Sequence, residues 1–239
     1  MHSLTFLTES DHSFPDPSLA LAEPNGLLAI GGDLSPTRLL AAYQSGIFPW
    51  FDDQDPILWW SPDPRAMVIP GQLHISKSLK KLLKKSDWTI TINHDFKSVI
   101  QHCAKPRLKQ EATWITQDIQ DAYCQLHNLG QAHSIEVWAQ GQLIGGLYGI
   151  AVGRVFCGES MFHIKTNASK VAMVYLQELL LEFDYALIDT QMMNPHLESL
   201  GAKIISRNDF LTLLAEFKQQ QPKQGCWQAR VFREGGIHE

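Results

Sequence analysis

Two short segments hold the residues whose types and spacing best suit chemistry: Phe156-Cys-Gly-Glu-Ser-Met-Phe162 and Leu187-Ile-Asp-Thr-Gln191. Both have the composition of strands. Side chains alternate across a strand, so Asp189 and Gln191 project to one face and Thr190 to the other. That spacing sets a carboxylate beside a carboxamide. Glu159 lies between apolar residues, where an acid is unfavourable unless it is paired, hydrated or used. A solvated Asp-Gln pair at a strand end and a salt-bridged Glu fit the same spacing, so these residues alone leave a structural and a chemical reading open.

The elements that must position them follow from periodicity and punctuation. The two segments flank a strongly apolar helix, Lys170 to Phe183, with Asn167 and Ser169 as its N-cap residues. A helix apolar around most of its circumference is buried. Upstream, His133 to Ala139 and Leu143 to Ile150 form a hairpin across Gln140-Gly141, and a second turn at Gly153-Arg154 leads into the Glu159 segment. Gly145, Gly146 and Gly149 leave a strand face bare for a ligand or another backbone. A meander, a buried helix and a strand with a polar end make an α/β sandwich with its site at the strand edge. The pattern also predicts a strand from Trp88 to Ile92, helices at Phe96 to Cys103 and 117–129, and a strand from Trp227 to Phe232 after a polar loop at 218–225. The helix at 117–129 is capped by Thr116 and buries Ile119, Ala122, Tyr123 and Leu126.

Nearer the N-terminus, residues 35–46 read as a helix with Ser35 as N-cap, Pro36 in the first turn, Leu39, Leu40 and Tyr43 on one face, and Gly46 as terminator. The aromatic and proline-rich stretch that follows, through Trp59, Trp60 and Arg65, fits a packed seam or a pocket wall. Its Pro-Asp-Pro run divides the chain into a small N-terminal domain, residues 1–62, and a larger one, residues 63–239.

The whole chain, 239 residues with 44% hydrophobic residues, is ample for a buried core. No stretch approaches the roughly 20 apolar residues of a membrane span, and no leader-like N-terminus is seen, so the cytoplasm is expected. Cys103, Cys124, Cys157 and Cys226 are widely spaced and suit core positions rather than a disulfide framework. The ten histidines make no H-E-x-x-H pattern, and no metal site is expected. Net charge is −5, yet Lys77, Lys80, Lys81, Lys84 and Lys85 share one helical arc of roughly 140° opposite Ile75, Leu79, Leu82 and Leu83. Same-sign charges with no interleaved acid repel one another, which favours an anionic partner over a merely solvated face.

The runs Glu23-Pro-Asn-Gly-Leu-Leu-Ala-Ile-Gly-Gly-Asp-Leu-Ser35, Gly46-Ile-Phe-Pro-Trp-Phe51, Trp59-Trp-Ser-Pro-Asp-Pro-Arg65, Phe156-Cys-Gly-Glu-Ser-Met-Phe162 and Leu200-Gly-Ala202 closely resemble the leucyl/phenylalanyl-tRNA–protein transferase family. The resemblance extends over nearly the whole chain. It implies an α/β (α+β) architecture: a small N-terminal domain plus a larger domain of the GCN5-related N-acetyltransferase type with a mixed, largely antiparallel sheet. It also implies an aminoacyltransferase that moves leucine or phenylalanine, and methionine weakly, from aminoacyl-tRNA to the α-amino group of proteins beginning with Arg or Lys. The product enters N-end rule degradation. The partners implied are Leu-tRNA, Phe-tRNA and those acceptor proteins, with no membrane, no cofactor and a monomeric enzyme. The stretch His163-Ile-Lys-Thr-Asn-Ala168 lacks the glycines of an acetyl-CoA pyrophosphate loop, which counts against the acetyl-CoA-dependent alternative.

By the same resemblance, Gln191 hydrogen-bonds the attacking amine and Asp189 orients and polarises it. Glu159 and Met161 lie near an apolar pocket for the donor side chain, where methionine adapts to aliphatic and aromatic guests. Trp50, Trp114 and Tyr123 match the positions that meet the terminal adenosine. Lys77, Lys81 and Lys85 match a tRNA-binding patch. The proton of the amine goes to Asp189, a water or the terminal ribose hydroxyl, and the sequence leaves these three open. A peptidoglycan-type aminoacyltransferase and a non-catalytic tRNA-binding module are rivals, disfavoured respectively by the Trp-rich N-terminal block and by the retained Asp189 and Gln191.

Overall fold

The computed structural model of the chain describes residues 4–105 and 113–234 and contains two sheets. The first is built from β1 (Thr5–Leu7) and β2 (Leu27–Gly31), then, after helix α1 (Pro36–Gln44), from β3 (Phe48–Pro49) and β4 (Leu58–Trp60), in the order β1-β2-β4-β3. Helix α1 starts where the punctuation predicts: Ser35 accepts the backbone N–H of Arg38, and Pro36 fills the first turn, where a missing N–H costs nothing. Its inner face presents Leu39, Ala42 and Tyr43.

The second sheet starts at β5 (Arg65–Val68) and continues through α2 (Lys77–Lys85), β6 (Thr89–Ile92), α3 (Phe96–Cys103), α4 (Gln117–Asn128), β7 (Ala132–Ala139), β8 (Gln142–Val152) and β9 (Val155–His163). Helix α5 (Ala168–Glu182) crosses to β10 (Leu187–Gln191), followed by α6 (Pro195–Ser199), β11 (Lys203–Ile205), α7 (Arg207–Phe217) and β12 (Arg230–Arg233). Its eight strands run β11-β5-β10-β9-β8-β7-β6-β12. All neighbours are antiparallel except β9 and β10, whose parallel pairing requires the crossover that α5 supplies. The fold is therefore mixed α/β with a largely antiparallel sheet, as the sequence predicts.

Each face of the large sheet has its own core. On one side α5 lays Val171, Ala172, Val174, Leu176 and Leu179 against Ile135, Val137 and Ile188, and α2 joins through Leu79. Burying each of these valine, leucine and isoleucine side chains contributes roughly 1.5–3 kcal/mol. The other side packs Val99, Ile119, Tyr123 and Phe210 against the sheet, and its core runs without interruption into Leu39, Ile47, Phe48 and Trp59 of the N-terminal part. The aromatic stretch is thus a seam.

Three local expectations change. Helix α5 begins at Ala168 rather than Lys170: Asn167 takes the left-handed conformation (φ 70°) with no side-chain cap, and Ser169 falls inside the first turn. Gly145, Gly146 and Gly149 do not form one bare face. A side chain at Gly145 would strike Ala168 of α5, at Gly146 the backbone of Ile135, and at Gly149 the backbone of Cys157, so the protein itself makes the close approach. Trp227 stands outside β12. It stacks on His133 with ring centroids 4.3 Å apart and donates its indole N–H to Tyr185 at 2.7 Å, anchoring the segment that leads into the edge strand.

Candidate active site

The pairing of β9 with β10 runs from Val155↔Leu187 to Cys157↔Asp189. Past that point both strands bulge. On β9, Gly158 opposes Gly149 and Ser160 opposes Tyr148, leaving Glu159 as the extra residue. On β10, Asp189 opposes Met67 and Gln191 opposes Ala66, leaving Thr190 as the extra residue. Bulges bend a strand and re-aim side chains, and they are over-represented beside active sites. Here they turn Glu159 and Gln191 toward each other: the Gln191 carboxamide donates Nε2–H to Glu159 Oε1 at 3.1 Å.

The bulge also alters the relation expected of Asp189 and Gln191. Gln191 adopts φ 57°, a left-handed conformation costly for a residue with a side chain. Its backbone N–H donates to Asp189 Oδ1 at 3.0 Å. Asp189 therefore governs the carboxamide through the backbone, not side by side with it. The carboxylate is fully buried and gripped by Arg65, whose Nε and Nη2 donate to its two oxygens at 2.9 and 2.7 Å. A carboxylate so occupied orients its neighbours and is poorly placed to receive a proton.

Glu159 has the opposite character. The residue as a whole is only partly buried, but its carboxyl group is densely surrounded by protein, and this burial pushes it up to about 7. Hydrogen bonds from tyrosine hydroxyls pull the other way, the nearby Asp189 adds to the rise and Arg65 opposes it. Tyr123 donates its hydroxyl to Glu159 Oε2 at 3.1 Å and is itself hydrogen-bonded to Tyr43 of α1. Burial holds both phenols, and that of Tyr148, well above the usual range, so they stay neutral.

The structure brings Asp189, Gln191, Glu159 and Tyr123 together. Tyr123 is fully buried with its ring edge-on to Tyr148, so it offers no open face to a base; its hydroxyl is the part that reaches the site. Met161 packs toward the α5 core, not the core that holds Tyr123, with its sulfur 3.2 Å from His196 Nε2. Trp50 is 40% exposed and edge-on to Trp60, and Trp114 is half-buried against the core that holds Tyr123. Lys77, Lys81 and Lys85 are exposed on α2, over the α5 face.

Arg65 and Tyr43 were not expected at the site. Arg65 heads the apolar run Arg-Ala-Met-Val-Ile, where a lone cation needs a partner, and that was the available signal. The spacing of α1 predicts Tyr43 on its buried face, where it lies, but nothing local in the sequence names its hydroxyl's partner.

Residues 67–215 match the family model described as leucyl/phenylalanyl-tRNA protein transferase, and residues 32–63 match that of the same family's N-terminal domain. The leucyl/phenylalanyl-tRNA–protein transferase of Shewanella baltica (strain OS195) is 63% identical over 227 residues, 95% of this chain and 96% of that one. That of Shewanella oneidensis is 60% identical over 235 residues, 98% of this chain and 100% of the relative. The chain belongs to the leucyl/phenylalanyl-tRNA–protein transferase family. It is accordingly an aminoacyltransferase, an enzyme class that needs a held amine, a positioned ester and a path for one proton. A GCN5-related N-acetyltransferase from Kribbella flavida superposes at TM-score 0.37 with 11% identity, over 72% of this chain and 61% of that one, a likeness too distant to carry a fold assignment. Among the described residues no group of His, Cys, Asp and Glu could hold a metal ion, and no helix is long and apolar enough to cross a membrane.

Proposed function

We propose that the chain transfers leucine or phenylalanine, and methionine weakly, from aminoacyl-tRNA to the α-amino group of proteins beginning with Arg or Lys, as a cytoplasmic monomer marking them for N-end rule degradation. The observation that carries this reading is the Gln191–Glu159 pair at the bulges of β10 and β9, with Asp189 holding Gln191 in place. Because Nε2 of Gln191 is committed to Glu159, its amide oxygen is left to accept an N–H from the incoming amine.

The reaction is aminolysis of an ester. A free α-amino group has a pKa near 8, so most of it is protonated at pH 7 and the reactive fraction must be captured neutral. The nitrogen forms a bond to the ester carbonyl carbon, the bond to the terminal ribose oxygen breaks, and one N–H proton must reach that oxygen. Glu159, ionised above about 7 and touching Gln191, takes the proton and returns it to the ribose oxygen. Asp189 remains an orienting group.

The donor side chain enters where β9 and β10 part, with Glu159 on one side and Met161 on the other. Trp50 and Trp114 receive the terminal adenosine; stacking on an aromatic contributes roughly 1–3 kcal/mol per base. The lysine row of α2, in the 63–239 catalytic module, binds tRNA phosphates, and residues 1–62 form the smaller module. Replacing Lys77, Lys81 and Lys85 together by Glu weakens tRNA binding and flattens its salt dependence without altering the preference among Leu, Phe and Met; unchanged affinity at low salt removes α2 from the reading.

The deciding experiment incubates labelled Leu-tRNA and Phe-tRNA with model proteins starting with Arg, Lys, Asp or Ser. Label is expected in the Arg and Lys proteins alone. Equal labelling of all four overturns the acceptor assignment, and labelling of none overturns the activity.

A further inference from the structure

The least expected member of the site is Arg65, and it links β10 to the N-terminal part of the chain and to α7. Its guanidinium donates through Nε and Nη2 to Asp189 and through Nη1 to the carbonyl of Gly46, at 2.9, 2.7 and 3.0 Å. The Phe48 ring of β3 and the Phe210 ring of α7 flank it, with centroids 5.1 and 4.4 Å from the guanidinium carbon. The side chain is 1% exposed, out of reach of solvent. A planar fork held this way has no rotational freedom, so it fixes the plane of the Asp189 carboxylate.

The consequence travels one bond further. Asp189 Oδ1 accepts from Arg65 Nε and also from the backbone N–H of Gln191, the residue held at φ 57°. A left-handed residue with a side chain persists only where its surroundings over-determine it. The carboxylate is the group that does so here, and Arg65 is what keeps the carboxylate from turning. We propose that Arg65 is a positioning residue for the transfer reaction: by locking Asp189 it sets the backbone of Gln191 and so the aim of the carboxamide, and it ties that aim to the N-terminal part of the chain through Gly46 and Phe48.

This rests on the reading that Gln191 meets the attacking amine, and the test separates the two. Single-turnover transfer, aminoacyl-tRNA affinity and melting temperature are measured for Asp189→Asn, Arg65→Met, their double variant and Gln191→Ala. A misplacement of about 1 Å at a reacting group costs roughly 100-fold, so Arg65→Met is expected to lose about that factor in rate with affinity within about threefold of the parent. Because Arg65 acts through Asp189, the double variant is expected to be no slower than Asp189→Asn. Losses that multiply in the double variant, or an Arg65→Met rate within about threefold of the parent, overturn the inference. If Arg65→Met fails to melt cooperatively, Arg65→Lys decides: it keeps the charge and loses the fork, and is expected to be about 10-fold slower with parental tRNA affinity. A parental rate in Arg65→Lys overturns the inference in that case. If Gln191→Ala transfers at the parental rate, the reading that Gln191 meets the amine fails; if Gln191→Ala is slow but the arginine variants transfer at the parental rate, the inference alone fails.

Discussion

Two carboxylates of the large sheet, Glu136 on β7 and Glu159 on β9 with β8 between them, are both pushed up by burial, yet they are built for different ends. Glu136 is wholly enclosed. Ser134 and Thr91 donate their hydroxyls to it at 2.5 Å each, and Asp95 adds a backbone N–H at 3.4 Å. Glu136 itself is in register on both sides, opposite Thr91 and Gly146, and the β7–β8 register shifts only past Val137. Glu159 stands on a bulge, keeps some exposure, and takes its donors from three other elements: the tyrosine hydroxyls of α1 and α4 and the Gln191 carboxamide of β10. A buried acid whose lone pairs are filled from its own sheet is a fastener. One set on a mid-strand bulge, with the carboxamide from the end of β10 beside it, has room for a substrate proton.

The largest expected effects test that contrast by rate. Gln191→Ala and Glu159→Gln are each expected to slow single-turnover transfer by about 100-fold, the usual size for loss of an acid–base or positioning group, with tRNA affinity nearly unchanged. Glu136→Gln is expected to transfer at the parental rate. The pH profile sharpens the point: the parental rate climbs as Glu159 ionises through about 7 and the acceptor amine near 8, whereas Glu159→Gln retains only the second rise. An unchanged profile in Glu159→Gln removes Glu159 from the proton path. Equal loss of rate and affinity in Gln191→Ala would make that residue a binding contact only.

Next in size is stability. Glu136→Ala leaves the Ser134 and Thr91 hydroxyls and the Asp95 N–H without their acceptor inside the sheet. Stranded buried donors cost about 1–3 kcal/mol each, softened here where a hydroxyl can rotate to another acceptor. At roughly 2–4 °C per kcal/mol for a chain of this length, melting is expected to fall by several degrees, with full transfer activity below the transition. Loss of activity at temperatures where the variant is folded would erase the distinction between the two acids.

What sequence could and could not reveal follows the same divide. Helix α3 appears with both its ends, Phe96 and Cys103, because Asp95 caps it and the apolar period is clean. Lys77 to Lys85 are legible as a helix because Ser76 caps them and the lysines segregate from the leucines. Asp189, Gln191 and Glu159 could be picked out by type, but not in their actual arrangement. A bulge adds one residue to one strand without disturbing composition, so alternation predicts a flat neighbour relation where the chain has turned. The partner of Asp189 lies 124 positions away at Arg65, and no local pattern spans that distance. Family resemblance located the residues, and only the register showed which atoms face each other.

The smallest expected effect concerns the stability cost of keeping Glu159 ionisable. Its folded value of about 7 exceeds the ordinary 4.5, so folding favours the protonated form. The stabilising contribution is complete below 4.5 and is lost as pH rises through about 7. Glutamine stays neutral throughout. Glu159→Gln is therefore expected to gain in melting temperature relative to the parent between pH 5 and pH 8, by roughly 2–4 °C for each kcal/mol of relieved penalty. At Glu136 burial also raises the carboxyl, countered by its hydroxyl and backbone donors, so the same replacement is expected to shift stability in the same pH direction. A Glu159→Gln difference that stays constant across this range would mean that the ionised carboxylate is as comfortable in the fold as in water. The site would then have no reason to hand its proton on.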